Sequence, residues 1–310
     1  MNQEKNPLVS IVIPVFNGAE FMREAIDSAL GQTYPNIEVL VINDGSSDHG
    51  KTEDIAKSYG DKIRYFQKQN GGVASALNLG IREMKGGYFS WLSHDDSYLP
   101  NKVEVQIQFL QTLGTEAVLY SDIEYMDEQS KKISEYLVRE VSPEKFIWEL
   151  LRRPFLVHGC TVLCPKLFLK EAGFFNESLR TTQDYELWFR LAKIFSFYHV
   201  PKILIRSRLH SHQSSQTMKK VFQKEKKELR AWVWNFFPLS DLQQSCGKKF
   251  PLWCMKMSCG WDNFIWDVLD TLSNIVPQKI RNFGMNVFLK KRKNFSTEHE
   301  NAVTIKNDEK

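Results

Sequence analysis

The sequence predicts an α/β protein with a mainly parallel central sheet flanked by helices, followed by a helical C-terminal extension. Three observations predict it. Short β-branched runs alternate with amphipathic stretches as far as residue 120, the pattern of βαβ units around a parallel sheet. Acidic residues stand just after several of the predicted strands. From Thr217 onward the sequence reads as helical, aromatic and basic.

The elements follow in order. Residues 9–15 are a β-branched run and predict a buried strand. Asn17 with Glu20 three residues on resembles a capping box, so a helix is expected from Asn17. Phe21, Ala25, Ile26, Ala29 and Leu30 give it an apolar face, and Tyr34-Pro35-Asn36 ends it. Residues 37–42 are a second buried strand. Helices are expected at 48–59 and 72–84, and strands at 63–66 and 88–92. Pro100 marks the start of a helix that runs on through 103–113, and 117–120 is a further strand. Right-handed crossovers would put the strand C-termini on one edge, where open α/β sheets bind ligands.

After Asp122 the rhythm changes. Strand-like pieces at 123–126, 157–163, 197–200 and 203–208 mix with helices at 143–151, 166–172 and 184–195. They read as a second half packed on the same sheet. Residues 296–310 are polar and expected to be disordered.

Composition sets the class. The chain has 310 residues, 42% apolar and 25% charged, enough to bury a real core. Residues 1–7 are polar, the apolar run after them is too short for a secretory signal, and no stretch is long and apolar enough to span a bilayer. A cytoplasmic location is expected. Five cysteines, an odd count, argue for reduced thiols rather than a disulfide framework. Net charge is only +4, but Lys and Arg gather at 219–230 and 279–293. These basic runs lack a recognition motif, so no nucleic-acid partner is expected.

Three acidic spots follow predicted strands: Asp44, Asp95-Asp96 and Asp122. Asp44 reads either as a turn and helix cap or as the acceptor for a nucleotide base N–H. Asp95 and Asp96 read either as a solvated loop or as a cation site, because adjacent carboxylates repel unless an ion offsets them. Asp184 falls in the first turn of a helix whose apolar face is Leu187, Trp188, Leu191 and Ile194. It is either a dipole-stabilised acid or a general base. Arg206, Arg208 and His210 alternate, so they share one strand face suited to a diphosphate.

In this order the pieces resemble family-2 glycosyltransferases of the GT-A fold, bacterial type, from about Val9 to Ser215. The opening strand runs into Phe16-Asn17. A nucleotide loop spans 38–48, and a Gly-rich helix start lies at 70–80. Ser93-His94-Asp95-Asp96 sits at the metal motif. His158-Gly159-Cys160 and Ala172-Gly173-Phe174-Phe175 then lead to Gln183-Asp184 at the base motif. The resemblance implies a catalytic domain over 1–215, with a nucleotide-binding half (1–122) and an acceptor-side half (123–215). A helical region would follow over 216–295, with the tail at 296–310.

It further implies that Pro14, Phe16, Asp44 and Asp95 bind the donor: Phe16 packs on the base, Asp44 takes its ring N–H, and Asp95 meets the ribose. Asp96 would bind Mn²⁺ or Mg²⁺, His210 the diphosphate or its metal, and Asp184 would be the base. The implied reaction moves a sugar from a nucleotide-diphosphate donor, a UDP-sugar by family analogy, to an acceptor hydroxyl with inversion, in cell-surface polysaccharide synthesis. The acceptor would be a saccharide or a lipid-linked one. Asn43, Ser93 and Gln183 depart from residues common at those points of the family.

Two competitors belong beside this reading. A nucleotide-sugar-binding protein without turnover could lose the base, whereas Asp184 is present. A sugar nucleotidyltransferase opens with a Gly-rich, Arg-containing loop that residues 14–19 lack. In the C-terminal region, Trp232, Trp234, Phe236, Phe237, Trp253, Trp261, Phe264 and Trp266 are either the core of a helical cap or a surface resting on anionic lipid at the inner face of the membrane.

Overall fold

The computed structural model describes residues 6–153, 156–213 and 217–237. The chain divides into two compact units, Met1–Leu229 and Arg230–Lys310. All that follows on the sheet and its site belongs to the first. The described part of the second is the end of one helix, where Trp232 stacks on Phe236 with ring centroids 4.4 Å apart. Residues 253–266 and 296–310, with their expected aromatic surface and tail, lie outside the described residues.

The first half of the unit follows the expected alternation. Strand β1 (Val9–Val15) is buried along its whole length. It pairs in parallel with β2 (Ile37–Asn43) on one side and β4 (Tyr88–Trp91) on the other, and β3 (Arg64–Gln67) extends the sheet beyond β2. Helices α1 (Met22–Leu30), α2 (Lys51–Lys57) and α3 (Val73–Glu83) connect them. Strands covered on both faces need continuous apolar side chains, which is why these runs are so plain in the sequence.

The helix expected from Asn17 begins instead at Met22. Asn17 takes a left-handed conformation, φ 50°, which a cap residue does not. Its N–H donates to Ser46 Oγ (2.9 Å), and its side-chain oxygen accepts from Ser47 N (2.7 Å). Residues 16–20 are therefore a loop bound to the loop after β2.

The second half is mixed. It holds β5 (Ser97–Tyr98), α4 (Lys102–Leu113), β6 (Val118–Met126), β7 (Lys132–Tyr136), α5 (Phe146–Arg152), β8 (Leu163–Pro165), α6 (Lys166–Ala172), α7 (Gln183–Ala192), β9 (Phe197–Arg208) and α8 (Lys219–Phe236). Among the described residues the sheet order is β3-β2-β1-β4-β8-β6-β9-β5, with β7 on β6. Strand β8 runs antiparallel to β4 and β6, and β9 runs parallel to β6.

Three readings change here. The pieces at 117–120 and 123–126 are one strand, β6, whose register slips around Asp122. Those at 197–200 and 203–208 are likewise one strand, β9. The expected strand at 157–163 is a tight turn, Gly159–Thr161, followed by the three residues of β8.

A buried polar seam joins the halves. Lys102 of α4, fully buried, donates to Ser90 Oγ (2.7 Å) on β4 and to Gln106 Oε1 (2.9 Å). Gln106 Nε2 donates to Thr161 O (2.8 Å). No helix among the described residues is long and apolar enough to cross a membrane.

Candidate active site

The site begins where β1 and β2 end. Pro14 is buried in β1 opposite Ile42. Leu92 N donates to Val12 O (3.0 Å), so even-numbered residues of β1 face β4. Pro14 has no N–H for the next rung of that ladder, which stops there. The chain is thus free to leave the sheet at Ser93 and carry Asp95 and Asp96 over its carboxyl edge. Phe16, just past β1, is 45% exposed and open to a planar ligand.

Asp44 is buried, and the protein already uses it. Its carboxylate accepts from Lys68 Nζ (2.8 Å), Gly71 N (3.0 Å) and Gly72 N (2.7 Å). Gly72 has φ +89°, and an added Cβ would lie 2.4 Å from Arg180 Nη1. Glycine is therefore required both for the turn and for the guanidinium lying on it. A carboxylate has about four acceptor sites, so Asp44 keeps room for one more donor.

Asp95 and Asp96 are joined to β9, over a hundred residues away. Asp96 Oδ1 accepts from Arg208 N (2.9 Å), and Asp95 Oδ2 lies 2.9 Å from His210 Nε2. Burial, then the charge of Asp95, push the Asp96 carboxyl up to about 7. Burial also acts to raise Asp95, but the His210 hydrogen bond and the charges of His94 and His210 hold it below the usual range. An ionised Asp95 can only accept, so His210 Nε2 is the donor. His210 Nδ1 is buried with no hydrogen-bond partner. Arg208, fully buried, clamps the loop: it donates to Asp95 O (3.0 Å), Asp127 O (3.0 Å) and Ser130 Oγ (3.0 Å), pairs with Glu24, and lies 4.5 Å over the Phe21 ring.

Beneath this pair, Asp96, His158 and Cys160 offer three donor atoms within 4.8 Å of one another. Cys160 Sγ is 3.3 Å from Asp96 Oδ2. Enclosure holds His158 down at about 4, so its ring is neutral at pH 7. A buried acid pushed up in pKa, with a neutral imidazole and a thiol facing it, fits a divalent cation, which would replace the missing compensation.

Asp184 occupies the first turn of α7, partly exposed, its Oδ1 accepting from Tyr185 N (2.9 Å). Burial raises its carboxyl to about 6 against that N–H. The loop before it is held by Glu225 of α8, whose carboxylate accepts from Arg180 N (2.7 Å), Thr181 N (2.9 Å), Thr181 Oγ1 (2.7 Å), Thr182 N (3.1 Å) and Thr182 Oγ1 (3.2 Å).

The fold therefore brings Asp95, Asp96 and His210 into one cluster. Asp44 and Arg180 meet at Gly72, and Asp184 lies four residues beyond Arg180. Tyr125 of β6 is within electrostatic reach of Asp96 and of Tyr185. Asp122, expected on the ligand edge, lies inside β6 instead. Its Oδ1 accepts from Val138 N (2.7 Å) and sits 2.8 Å from His199 Nε2. Sequence reading missed Arg180, Glu225 and the donor set of His158 and Cys160. Only the His-Gly-Cys string was a signal, and it was read as a family landmark.

Fold and site together define an α/β protein that gathers buried and half-buried acidic side chains at the carboxyl edge of its sheet. The family model described as Glycosyl transferase family 2 matches residues 10–172, and the chain belongs to that family. An uncharacterized glycosyltransferase of Rickettsia felis is 53% identical over 220 residues, covering 68% of this chain and 35% of that protein. The chondroitin synthase of Pasteurella multocida is 33% identical over 212 residues, covering 67% of this chain and 21% of the synthase. The chain thus spans about a third or less of the length of these relatives. The crystal structure of S. aureus TarS 1-349 in complex with UDP-GlcNAc superimposes with a TM-score of 0.57 at 15% identity, over 95% of this chain and 92% of that one. That likeness shows the fold expected from the resemblance.

Proposed function

We propose that this chain transfers a sugar from a UDP-sugar to an acceptor hydroxyl with inversion, in the synthesis of a surface polysaccharide. One observation carries the reading: Asp96, buried, and Asp95, half-buried against His210 (2.9 Å), sit side by side at the carboxyl edge of the sheet, with the Asp96 carboxyl pushed up to about 7. The named ligand of TarS and the named product of the Pasteurella synthase support the donor and polymer classes.

Phe16 offers its face to the base, and Asp44 has one acceptor site left for a ring N–H. Asp95, ionised and oriented by His210, is suited to a ribose hydroxyl. Asp96 would hold Mn²⁺ or Mg²⁺, which when bound neutralises the diphosphate. His210 keeps Nδ1 toward the diphosphate or its ion. Arg180 adds a fixed positive charge beside the Gly72 turn. Asp184, with a carboxyl near 6, is ionised at pH 7 yet basic enough to take a proton from an acceptor hydroxyl. Attack from the face opposite the leaving diphosphate inverts the anomeric centre through an oxocarbenium-like transition state. A saccharide or lipid-linked acceptor would suit this chemistry, with peripheral contact at the inner membrane face through the C-terminal region. Liposome flotation at low salt tests that contact, and no binding removes it.

The decisive experiment incubates the protein with a panel of nucleotide sugars and Mn²⁺ and follows release of nucleotide diphosphate, with the anomeric configuration of the product read by NMR. Release from UDP-sugars with inversion is expected. No release from any donor, or a retained configuration, overturns the proposal.

A further inference from the structure

We propose that the divalent ion is held by Asp96, His158 and Cys160 together, a mixed oxygen, nitrogen and sulfur site that prefers Co²⁺ or Zn²⁺ to Mg²⁺. This rests on the reading of Asp96 as a metal ligand and names the rest of the ligand set.

One pair of these donors is already spaced as around a bound ion. Metal–donor bonds of about 2.0–2.3 Å in tetrahedral array place neighbouring donor atoms roughly 3.5 Å apart. Cys160 Sγ lies 3.3 Å from Asp96 Oδ2, and the three donor atoms all lie within 4.8 Å of one another. An ion between them takes the place of the thiol proton, which Cys160 can direct at Asp96 Oδ2 or Ser93 Oγ (3.3 Å each), and would compete with Cys160 N for His158 Nδ1 where that nitrogen is the ligand. The thiol loses that proton to solvent on binding. Two anionic ligands then neutralise a dication, and the buried site carries no net charge.

The surroundings fix these donors. His158 and Cys160 flank Gly159 on one tight turn. A Cβ on Gly159 would sit 2.2 Å from the Trp91 ring, so only glycine lets the turn press on the end of β4. Ser93 N donates to Cys160 Sγ (3.2 Å), a bond that favours a sulfur carrying negative charge. Magnesium prefers an all-oxygen shell, whereas thiolate and imidazole suit zinc and cobalt. The ligand set thus points to the borderline metals.

Cobalt is the probe. The metal-free full chain is titrated with Co²⁺, and its ultraviolet and visible spectrum is recorded. The expected result is one Co²⁺ per chain with an intense near-ultraviolet thiolate-to-cobalt band. Cys160→Ser should abolish that band and weaken Co²⁺ binding at least ~10-fold. Serine at Cys246, Cys254 and Cys259 together should leave the band intact. A far-ultraviolet circular dichroism spectrum and a urea midpoint like those of the unchanged protein confirm that Cys160→Ser is folded. Visible bands without the thiolate band overturn the proposal, as does a band that survives in Cys160→Ser. If the thiolate band is missing while Mn²⁺-dependent donor turnover is lost in Asp96→Asn, only the ligand set falls. If the protein binds no ion and turns over without one, Asp96 is no ligand and both readings fall.

Discussion

Residues 9–91 and residues 97–208 build one sheet by opposite means. In the first stretch every pairing is parallel, β2 with β1 and β3, and β4 with β1, through helices of ordinary length. In the second, β8 returns antiparallel between β4 and β6, and β9 closes on β6 and β5 from far along the chain. The difference teaches where chemistry can be assembled. The loop that holds Asp44 stands on the local, regular half. The acid pair needs the distant half: Asp96 is anchored by Arg208, 112 residues on, and touches Cys160, 64 residues on.

The sharpest test of that division acts on Asp184, which the second half contributes. Asp184→Asn should lower turnover about 1,000-fold, within the range of a lost general base, while UDP binding, proposed to rest on other residues, stays unchanged. Near-normal turnover breaks the comparison. In the unchanged protein, turnover should fall as pH drops through about 6, because the protonated acid cannot accept a proton. The stability effect has a definite sign. The folded carboxyl is raised to about 6 from an ordinary 3.8, so the folded state holds a proton that the unfolded state has lost. Its contribution to stability falls as pH rises through that window, and urea unfolding of Asp184→Asn should lack that part of the slope.

Arg208 tests the seam itself. It is buried, donates to three backbone carbonyls and a serine hydroxyl, and pairs with Glu24. Arg208→Met should destabilise the fold by about 3 kcal/mol, since the part-buried carbonyl bonds to Asp95, Asp127 and Glu128 and the Glu24 pair lose their buried donor. A loss near zero in urea unfolding means the acid pair is held by other contacts.

The unevenness of sequence reading follows from the same contrast. Runs such as Val9–Val15 announce themselves because a strand covered on both faces must be apolar throughout. Asp44, Asp95 and Asp96 could be placed on the ligand edge because strand ends and loops are local features. Asp122 could not. It belongs to a strand whose register shifts, and its partners Val138 and His199 come from later segments. Asn17 failed for a related reason: loop-to-loop bonds to Ser46 and Ser47 overrode its capping preference. Glu225 carries no pattern at all. On a lysine-rich helix it reads as one more surface acid until the 180–182 loop is folded against it.

Glu225 sets up a smaller test within the second half. Its carboxylate gathers five donors just ahead of Asp184. Glu225→Gln keeps the shape but replaces one acceptor oxygen with an amide that cannot accept. We expect kcat to fall about 10-fold with KM for the donor unchanged, the pattern of a residue that positions the base without binding the nucleotide. An equal loss in donor affinity would mean that Glu225 supports the fold generally.

The last test belongs to Lys102, where the two halves share a buried amine. Burial lowers its pKa from 10.5 to about 7, so above pH 7 the folded state carries a neutral amine while the unfolded state stays charged. The unfolded state then binds the extra proton, and stability should rise with pH between 7 and 10, by up to about 1.4 kcal/mol per pH unit. Lys102→Met, similar in length and without a titrating group, should flatten that rise. A steep rise that persists in Lys102→Met would assign it to another group. The seam would then be held by a permanently charged lysine, with Ser90 Oγ and Gln106 Oε1 accepting from an ammonium.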